Sequence, residues 1–278
     1  MPSKRIPPRL ALFVGVLAAV AGVAPALHAE GQQTAPPDVL MRTPTRSLEV
    51  IAGTQQLTDN FSNWRTLTLH GIYENGDHVF QGELSAKREF DMNGRFFGFT
   101  DTYTINSDWF TTASVGFGDG AFYLPRYRVD GFLYRKWLAK KNLVSSIGAG
   151  YYSAPDGHID RSFSVGGAYY FEQPVVTEMG VRFNRSSPGG VNSHQQFVAL
   201  SWNPGPTDTL TARVAWGSEG YAPLTESASL VGFQSHEQSV GWRHKLERNW
   251  GVSLAANRYS NPSYKRHGID VGIQHQFD

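Results

Sequence analysis

The sequence predicts an all-β protein, a transmembrane antiparallel up-and-down β-barrel of about 14 strands, with 12 as the fallback count. Apolar and polar residues alternate along stretches of roughly 9 to 13 residues between Leu48 and Phe277. No stretch after the N-terminal segment holds about 18 uninterrupted apolar residues, which excludes a bundle of membrane-spanning helices. Tryptophan and tyrosine residues lie near the predicted turns, as expected at membrane interfaces, among them Trp64, Trp109, Trp137, Tyr152, Tyr170, Trp202, Trp242, Trp250 and Tyr259.

The first 29 residues are expected to be a secretory signal peptide. Three basic residues precede an apolar run from Leu10 to Ala26, and small residues close that run. We expect cleavage after Ala29, with a competing site after Ala26. The alternative is a retained anchor, for which about 17 apolar residues interrupted by Gly and Pro are marginal. Residues 30–46 are rich in Gln, Thr and Pro and are expected to form a flexible lead-in to a single barrel domain at 47–278.

The alternating stretches carry apolar side chains at every second position and mostly polar ones between them. Clear cases run from Phe80 to Ala86, from Trp109 to Phe117 and from Val175 to Phe183. Successive side chains of a strand point to opposite faces, so one face can contact lipid and the other a polar lumen. Soluble strands average about 5 to 6 residues, whereas a tilted strand needs about 9 to 11 to cross a bilayer. The alternative is a soluble β-sandwich or secreted barrel with its aromatic residues in the core.

The connections between predicted strands fall into two alternating sets. Short turns are expected on the periplasmic side, at Glu74–Asp77, Asn106–Asp108, Ala139–Lys141, Glu172–Pro174, Asn203–Pro206 and Lys245–Asn249. Longer loops are expected outside the cell, at Gln56–Asn63, Gly118–Leu124, Ser153–Asp160, Arg185–Asn192, Gly217–Ser229 and Ser260–Lys265. Asp91–Gly94 is an exception, since it is no longer than a turn. Such an arrangement is typical of outer-membrane barrels.

Composition excludes several classes of protein. Apolar residues make up 40% of the 278 residues and charged residues 18%, which argues against disorder and against a charged coiled coil. The chain has no cysteine, so disulfide scaffolds, thiolate metal sites and cysteine nucleophiles are excluded. Removal of the signal peptide would leave a slightly acidic chain without a basic stripe, and we therefore expect no nucleic-acid partner.

Charged residues of both signs occupy positions opposite the apolar stripes. We expect ten of them to line the lumen: Glu83, Lys87, Arg128, Asp130, Glu178, Arg182, Arg213, Glu237, Arg243 and Asp270. In one interpretation these groups pair across the lumen and make it rigid. In the other they form a charged constriction for a polar solute. For the second interpretation we expect a narrow conduit for an anionic or neutral saccharide, lined by Arg128, Arg182, Arg213 and Arg243 with Glu178 and Glu237.

Asp101 interrupts the outward-facing pattern of its strand. It is in phase with Phe97, Phe99 and Tyr103, and a carboxylate in the hydrocarbon core raises the free energy of the folded state. We therefore expect a bulge or a change of register near Gly98. An intramembrane functional acid is the alternative.

The sequence offers weak signals for catalysis. Ser193 and His194 are adjacent, as are Ser235 and His236, but neighbours on a strand point to opposite faces and neither pair is a preformed nucleophile and base. The glycine-rich run Gly116–Gly120 lacks the lysine and the helix of a phosphate loop. We expect no enzyme activity, metal or cofactor. Loop aromatics are candidates for stacking on sugar rings, namely Phe122, Tyr123, Tyr221 and Tyr264.

Several stretches resemble the YaiO family of outer-membrane β-barrel proteins, and the resemblance covers roughly residues 47–278. They are Leu48–Gly53 followed by Trp64, Arg88–Asp91, Tyr123–Val129 with its Leu-Pro-Arg sequence, and the terminal Gln276-Phe277-Asp278. The resemblance implies an outer-membrane location and an association with envelope or exopolysaccharide systems, and it supplies no catalytic residues. An assembly signal commonly ends in a C-terminal aromatic residue, whereas here Asp278 follows Phe277.

Together these observations predict an exported, non-enzymatic outer-membrane barrel that supports envelope or exopolysaccharide-associated transport of a polar solute or glycan. A surface-exposed binding or structural barrel is the second hypothesis, and an outer-membrane acyl-ester hydrolase is the third. The expected partners are outer-membrane lipid, a saccharide, and the barrel-assembly machinery, which would engage the C-terminal strand ending in Phe277-Asp278.

Overall fold

The chain forms one closed antiparallel barrel. A computed structural model describes residues 46–247 and 249–277, and within them 14 strands pair in sequence order around the barrel. The predicted fold class and the count of 14, rather than 12, are confirmed. The strands are β1 (Arg46–Leu57), β2 (Trp64–Asn75), β3 (His78–Glu89), β4 (Met92–Thr104), β5 (Trp109–Gly118), β6 (Tyr127–Trp137), β7 (Leu143–Ser153), β8 (Ile159–Tyr170), β9 (Val175–Ser187), β10 (Val191–Trp202), β11 (Asp208–Pro223), β12 (Ser229–Lys245), β13 (Trp250–Ser260) and β14 (Lys265–Phe277).

The first and last strands close the barrel. β1 pairs with β14 from Arg46 opposite Phe277 to Leu57 opposite Arg266, and β1 also pairs with β2. Every strand therefore has two partners, which satisfies the backbone hydrogen bonds that lipid cannot satisfy. The expected signal peptide and all of the expected lead-in except Arg46 lie outside the described residues. No helix in the described part of the chain has the length and apolar character required to span a membrane.

The two faces of the barrel wall differ in chemistry. Outward-facing positions carry large apolar side chains that remain exposed, for example Leu84, Met179 and Val240, which are 53, 57 and 58% exposed. Inward-facing positions on the same strands carry polar or small residues that are largely buried. An exposed apolar belt around a closed barrel is stable only where lipid covers it, because water would disfavour such a surface.

One end of the barrel carries a belt of outward-facing aromatic residues. Trp109 begins β5, Trp137 ends β6 and Trp250 begins β13, all at the end with the short turns. The Arg135 guanidinium lies over both Trp109 and Trp137, at 5.1 and 3.7 Å from the ring centroids. Aromatic rings and snorkelling arginines of this kind mark the boundary between hydrocarbon and headgroups.

Four aromatic residues assigned to the membrane interfaces from the sequence face inward instead. Trp64, Tyr152, Tyr170 and Tyr259 are only 1, 3, 9 and 5% exposed. That expectation was wrong for them because it used distance from a turn alone. Successive side chains of a strand point alternately outward and inward, and these four residues occupy inward positions of that alternation.

Two connections expected to be long loops are mostly strand. β9 continues to Ser187 and β10 begins at Val191, so residues 188–190 alone connect them. β11 ends at Pro223 and β12 begins at Ser229. Tyr221 pairs with Val231, well beyond the expected ends of the two strands. Their Gly, Ser and Pro content predicted loops, but the hairpin ladder continues past the membrane because each strand supplies the other's hydrogen bonds.

The bulge expected near Gly98 does not occur. β4 pairs with β3 and with β5 in uninterrupted register, with Asp101 opposite Phe80 and Ala113. Asp101 does face outward, three residues from the short-turn end of β4, and its carboxylate lies 2.9 Å from His78 Nδ1. An imidazole partner close to the headgroup boundary, rather than a break in register, accommodates the carboxylate.

Candidate functional site

The lumen holds all ten charged residues that the sequence placed opposite the apolar stripes. They lie on the inward face of β3 (Glu83, Lys87), β6 (Arg128, Asp130), β9 (Glu178, Arg182), β11 (Arg213), β12 (Glu237, Arg243) and β14 (Asp270). The structure gathers six of them into three groups, and it adds three residues that the sequence analysis missed. Glu83, Lys87, Glu178 and Asp270 lie outside these groups.

The first group is centred on Asp130. Its carboxylate lies 3.4 Å from Arg128 Nε and 3.8 Å from Arg182 Nη2, and Arg182 Nη2 donates a 2.6 Å hydrogen bond to Ser162 Oγ. Gly150 makes the arrangement possible, since a Cβ there would lie 2.4 Å from Asp130 Oδ1. Asp130 is 3% exposed and is thereby held between cations from two strands.

The second group joins β1 to β12 along the inner wall, past β13 and β14. Arg243 Nη2 donates to both oxygens of Glu49, at 3.0 and 3.3 Å, and Ser253 Oγ donates to Glu49 Oε1 at 2.8 Å. Glu49 is 3% exposed. Glu49 was not among the residues predicted to line the lumen, although its place between Leu48 and Val50 in the alternating pattern was the signal for an inward position.

The third group contains Glu237 between two arginines. Its carboxylate lies 3.7 Å from Arg213 Nη1 and 3.9 Å from Arg266 Nη2. Arg266 was also missed; it is fully buried, with its guanidinium 5.1 Å from the Trp64 ring and 4.9 Å from the Tyr259 ring. Tyr259 in turn donates a 3.0 Å hydrogen bond to Glu219, a third residue that the sequence analysis did not select.

Charge is distributed unevenly within these groups. Side chains of the four arginines Arg128, Arg182, Arg213 and Arg243 are 26, 17, 28 and 22% exposed, whereas those of Asp130, Glu49 and Glu237 are 3, 3 and 15% exposed. Each of these four guanidinium groups is therefore more exposed to the lumen than the carboxylate that it pairs with, whereas Arg266 of the third group is buried. A solute beside these four arginines would meet positive charge and hydrogen-bond donors.

An aromatic cap covers part of the lumen at the end opposite the short turns. We define it as Phe61, Trp64, Phe90, Phe122, Tyr123, Tyr259 and Tyr264. Ring centroids are 4.9 Å apart for Trp64 and Phe90 and 5.4 Å apart for Phe90 and Phe122. The rings come from loops and strand ends on β1 to β5, β13 and β14, so the cap lies over that side of the barrel.

The loop at 119–126 contributes to the cap by folding inward. Tyr123 is fully buried, and its hydroxyl donates to the backbone oxygens of Lys87 and Met92 at 3.2 and 3.1 Å. Gly94 allows this contact, because a Cβ at that position would lie 2.5 Å from the Tyr123 hydroxyl. Burial raises the pKa of the Tyr123 and Tyr264 phenols above the usual value, so both stay neutral at physiological pH.

Two of the four loop aromatics considered for sugar stacking are therefore inaccessible. Tyr123 and Tyr264 are 0 and 2% exposed inside the cap. Tyr221 contacts the His158 ring at a centroid distance of 3.8 Å, and its hydroxyl donates to the Pro188 carbonyl. The sequence could not distinguish a loop that projects into solvent from one that folds back into the barrel.

An apolar cluster fills the inward face of β5 to β9 at the short-turn end. It consists of Phe110, Phe132, Tyr134, Val144, Tyr170 and Val176, each at most 9% exposed. Phe110 and Tyr134 stack with their centroids 4.3 Å apart. The short-turn end of these strands is therefore packed rather than hydrated, and the Asp130 group lies on the same side of the barrel, nearer the other end.

The serine and histidine pairs do not form catalytic dyads. Ser193 and Ser235 face inward and are 8 and 2% exposed, whereas His194 and His236 face outward. Ser235 Oγ accepts a hydrogen bond from Gln195 Nε2 at 3.1 Å. Among the described residues, no group of three His, Asp or Glu side chains is placed to hold a metal ion.

Comparisons with known proteins agree with this architecture. The family described as "YaiO membrane beta barrel domain" matches residues 45–222. No curated protein matches the chain. Among solved structures it resembles the CymD monoaromatic hydrocarbon channel, with a TM-score of 0.52 and 9% identity over 86% of this chain and 89% of that one.

Two further structures have similar folds. One is a bacterial polysaccharide outer membrane secretin, with a TM-score of 0.51 and 7% identity over 84% of this chain and 98% of that one. The other is an outer membrane channel from Pseudomonas putida F1, with a TM-score of 0.51 and 7% identity over 88% of this chain and all of that one. At identities this low, the structural likeness shows a shared barrel fold and nothing about a shared role.

Proposed function

The chain belongs to the YaiO membrane β-barrel family, and from that premise we propose that it is a non-enzymatic outer-membrane barrel that transports a polar saccharide associated with the cell envelope. The solute is an anionic or neutral glycan, and exopolysaccharide export is its cellular setting. One related fold is described as a polysaccharide outer membrane secretin, but at 7% identity the proposal rests on the lumen of this chain.

The uneven exposure of the lumen charges is the observation that carries the proposal. Four lumen arginines are each more exposed than the carboxylate partner that they contact. Guanidinium groups donate several hydrogen bonds in a plane, which suits hydroxyl and carboxylate oxygens of sugars. The arginine side of the lumen, along β6 and β9 to β12, lies beside the aromatic cap rather than under most of it.

Conductance across a planar bilayer tests the proposal. We expect the wild-type barrel to pass current with a preference for anions, and the double variant Arg182→Ala, Arg213→Ala to lose that preference because two lumen cations are removed. The matched control is Arg65→Ala, Arg88→Ala, which removes two outward-facing arginines and should leave the selectivity unchanged. Absence of conductance in both the wild type and the lumen variant would contradict transport.

The other hypotheses predict different outcomes in the same preparation. Binding of a soluble glycan without conductance would replace transport with a surface-binding role. Hydrolysis of a chromogenic acyl ester by the detergent-solubilised barrel would replace the transport hypothesis with that of an outer-membrane acyl-ester hydrolase.

A further inference from the structure

The outer surface of the barrel carries a groove, separate from the lumen, whose lining is partly charged and partly apolar. It has a volume of about 510 Å³ and lies across β8, β9 and β10. Its outward-facing lining consists of Arg161, Phe163, Phe183, Arg185, Asn192 and His194. We propose that this groove binds the phosphate groups of a phosphorylated glycolipid of the outer leaflet.

The strand register arranges the groove in two rows. Arg161 pairs directly with Arg185, and Arg185 pairs directly with Asn192, which forms a polar row across three strands. The next outward row contains Phe163, Phe183 and His194, and both phenylalanines are about half exposed, at 50 and 51%. The rows are about 7 Å apart. The row that contains the two arginines suits the charged headgroup of a lipid, and the row that contains the exposed phenylalanines suits the upper part of its acyl chains.

The two arginines of this row are exposed, and no described side chain supplies either of them with a counter-charge. Like charges directly opposite each other in an antiparallel pair destabilise the sheet. Neither Arg161 nor Arg185 takes part in an ion pair within the described ranges 46–247 and 249–277. The Arg65–Arg88 pair on β2 and β3 differs, because Arg88 Nη2 lies 3.5 Å from the Asp91 carboxylate. A bound polyanion would remove the repulsion between Arg161 and Arg185.

The position of the polar row along the barrel axis indicates which leaflet of the membrane it contacts. Arg161 is the third residue of β8 and Arg185 the third from the end of β9, both at the end opposite the short turns. Short turns of outer-membrane barrels face the periplasm, so this row lies at the outer interface. The lipids of that leaflet in Gram-negative outer membranes are phosphorylated glycolipids, whereas glycerophospholipids form the inner one.

The shape of the site favours a headgroup with more than one phosphate. Three adjacent strands place Arg161, Arg185 and Asn192 across about 10 Å, since neighbouring strands lie about 4.8 Å apart. Each guanidinium can bind one phosphate through two parallel hydrogen bonds, and Asn192 and His194 offer further donors. A single phosphodiester would use only part of this row.

Binding of purified lipid to the full-length barrel in detergent tests the proposal. The probes are phosphorylated lipid A, the same lipid after removal of its phosphates, phosphatidylglycerol, and inorganic phosphate as a competitor. We expect phosphorylated lipid A to bind tightest and Arg161→Ala, Arg185→Ala to weaken it about tenfold or more, because two charge-assisted contacts are lost. Arg161→Lys, Arg185→Lys should recover part of the affinity, since lysine retains the charge without the planar fork.

The control is Arg65→Ala, Arg88→Ala, which removes a second outward cross-strand arginine pair and should leave lipid affinity unchanged. An equal loss in this control would overturn the groove as the site and leave only general attraction by basic residues. Equal binding of dephosphorylated lipid A would overturn recognition of phosphate. Equal binding of phosphatidylglycerol, or displacement by millimolar inorganic phosphate, would overturn recognition of the glycolipid. Far-ultraviolet dichroism of each variant verifies that the barrel is intact.

Discussion

Two regions of the lumen wall are both buried but are packed by different chemistry. The inward face of β5 to β9 at the short-turn end holds the apolar cluster around Phe110 and Tyr134. The inward face of β11 to β14 with β1 holds buried charge, including Glu49, Arg266 and Asp270 at 3, 0 and 2% exposure. The apolar region depends on volume and the charged region on pairing, so a truncation should act through a cavity in one and through an uncompensated charge in the other.

This difference between the two regions bears on the proposed transport. Packed rings leave little space for a solute, whereas the arginines of the charged groups keep part of their surface open. We therefore expect the apolar cluster to contribute stability with little effect on selectivity, and the charged groups to contribute to both.

Truncation of Arg266 is expected to have the largest effect. Arg266→Ala removes a fully buried guanidinium between Trp64 and Tyr259 and takes one of two cations from Glu237, and we expect a loss of about 4 kcal/mol. Arg266→Met retains much of the volume and should lose clearly less. Urea unfolding from lipid vesicles measures both variants. Equal losses would mean that the missing cation accounts for the whole loss and that side-chain volume at this position contributes nothing.

Truncation of a side chain in the apolar cluster is expected to lower the free energy of unfolding slightly less than Arg266→Ala does. Phe110→Ala leaves a cavity next to Tyr134 and should lower the free energy of unfolding by about 3 kcal/mol. The control Phe117→Ala lies on the same strand, faces lipid and is 47% exposed, and it should lose about 1 kcal/mol or less. The anion preference of Phe110→Ala should equal that of the wild type. A change in that preference would contradict the division between the two regions.

A methyl group added beside Asp130 is expected to have the smallest effect. In Gly150→Ala the new Cβ would lie 2.4 Å from Asp130 Oδ1 and 2.7 Å from Ser162 Oγ, so these side chains must move. We expect the free energy of unfolding to fall by about 2 kcal/mol. Gly82→Ala is the control, since nothing lies within 4 Å of a Cβ at that position. It should be neutral or slightly stabilising. Equal thermal stability of the two variants would show that the Asp130 group is loosely packed.

Local pattern predicted much of the fold. The period of two along each strand was sufficient for the class, the strand count and the inward position of residues such as Arg182 and Glu237. It failed where a residue's environment depends on more than its own strand. Asp101 breaks the pattern without a bulge because His78 on the neighbouring strand supplies a partner.

The ends of the strands were predicted less well. Gly, Ser and Pro between Gly217 and Ser229 indicate a loop, yet hydrogen bonds between β11 and β12 continue the hairpin. Similarly, nothing local to Tyr123 distinguishes an exposed loop tyrosine from one that packs into the mouth of the barrel.

The sequence by itself determined which face of each strand meets lipid, because alternation of side chains is a property of a single strand and needs no partner. Only the closed barrel decided which inward charges meet. Glu49 reaches Arg243 although 193 residues separate them in the chain, since closure of β1 on β14 brings β1 within reach of β12. The register of the β8–β9 hairpin places Arg161 opposite Arg185 on the outside, because contacts between strands depend on how the strands are aligned.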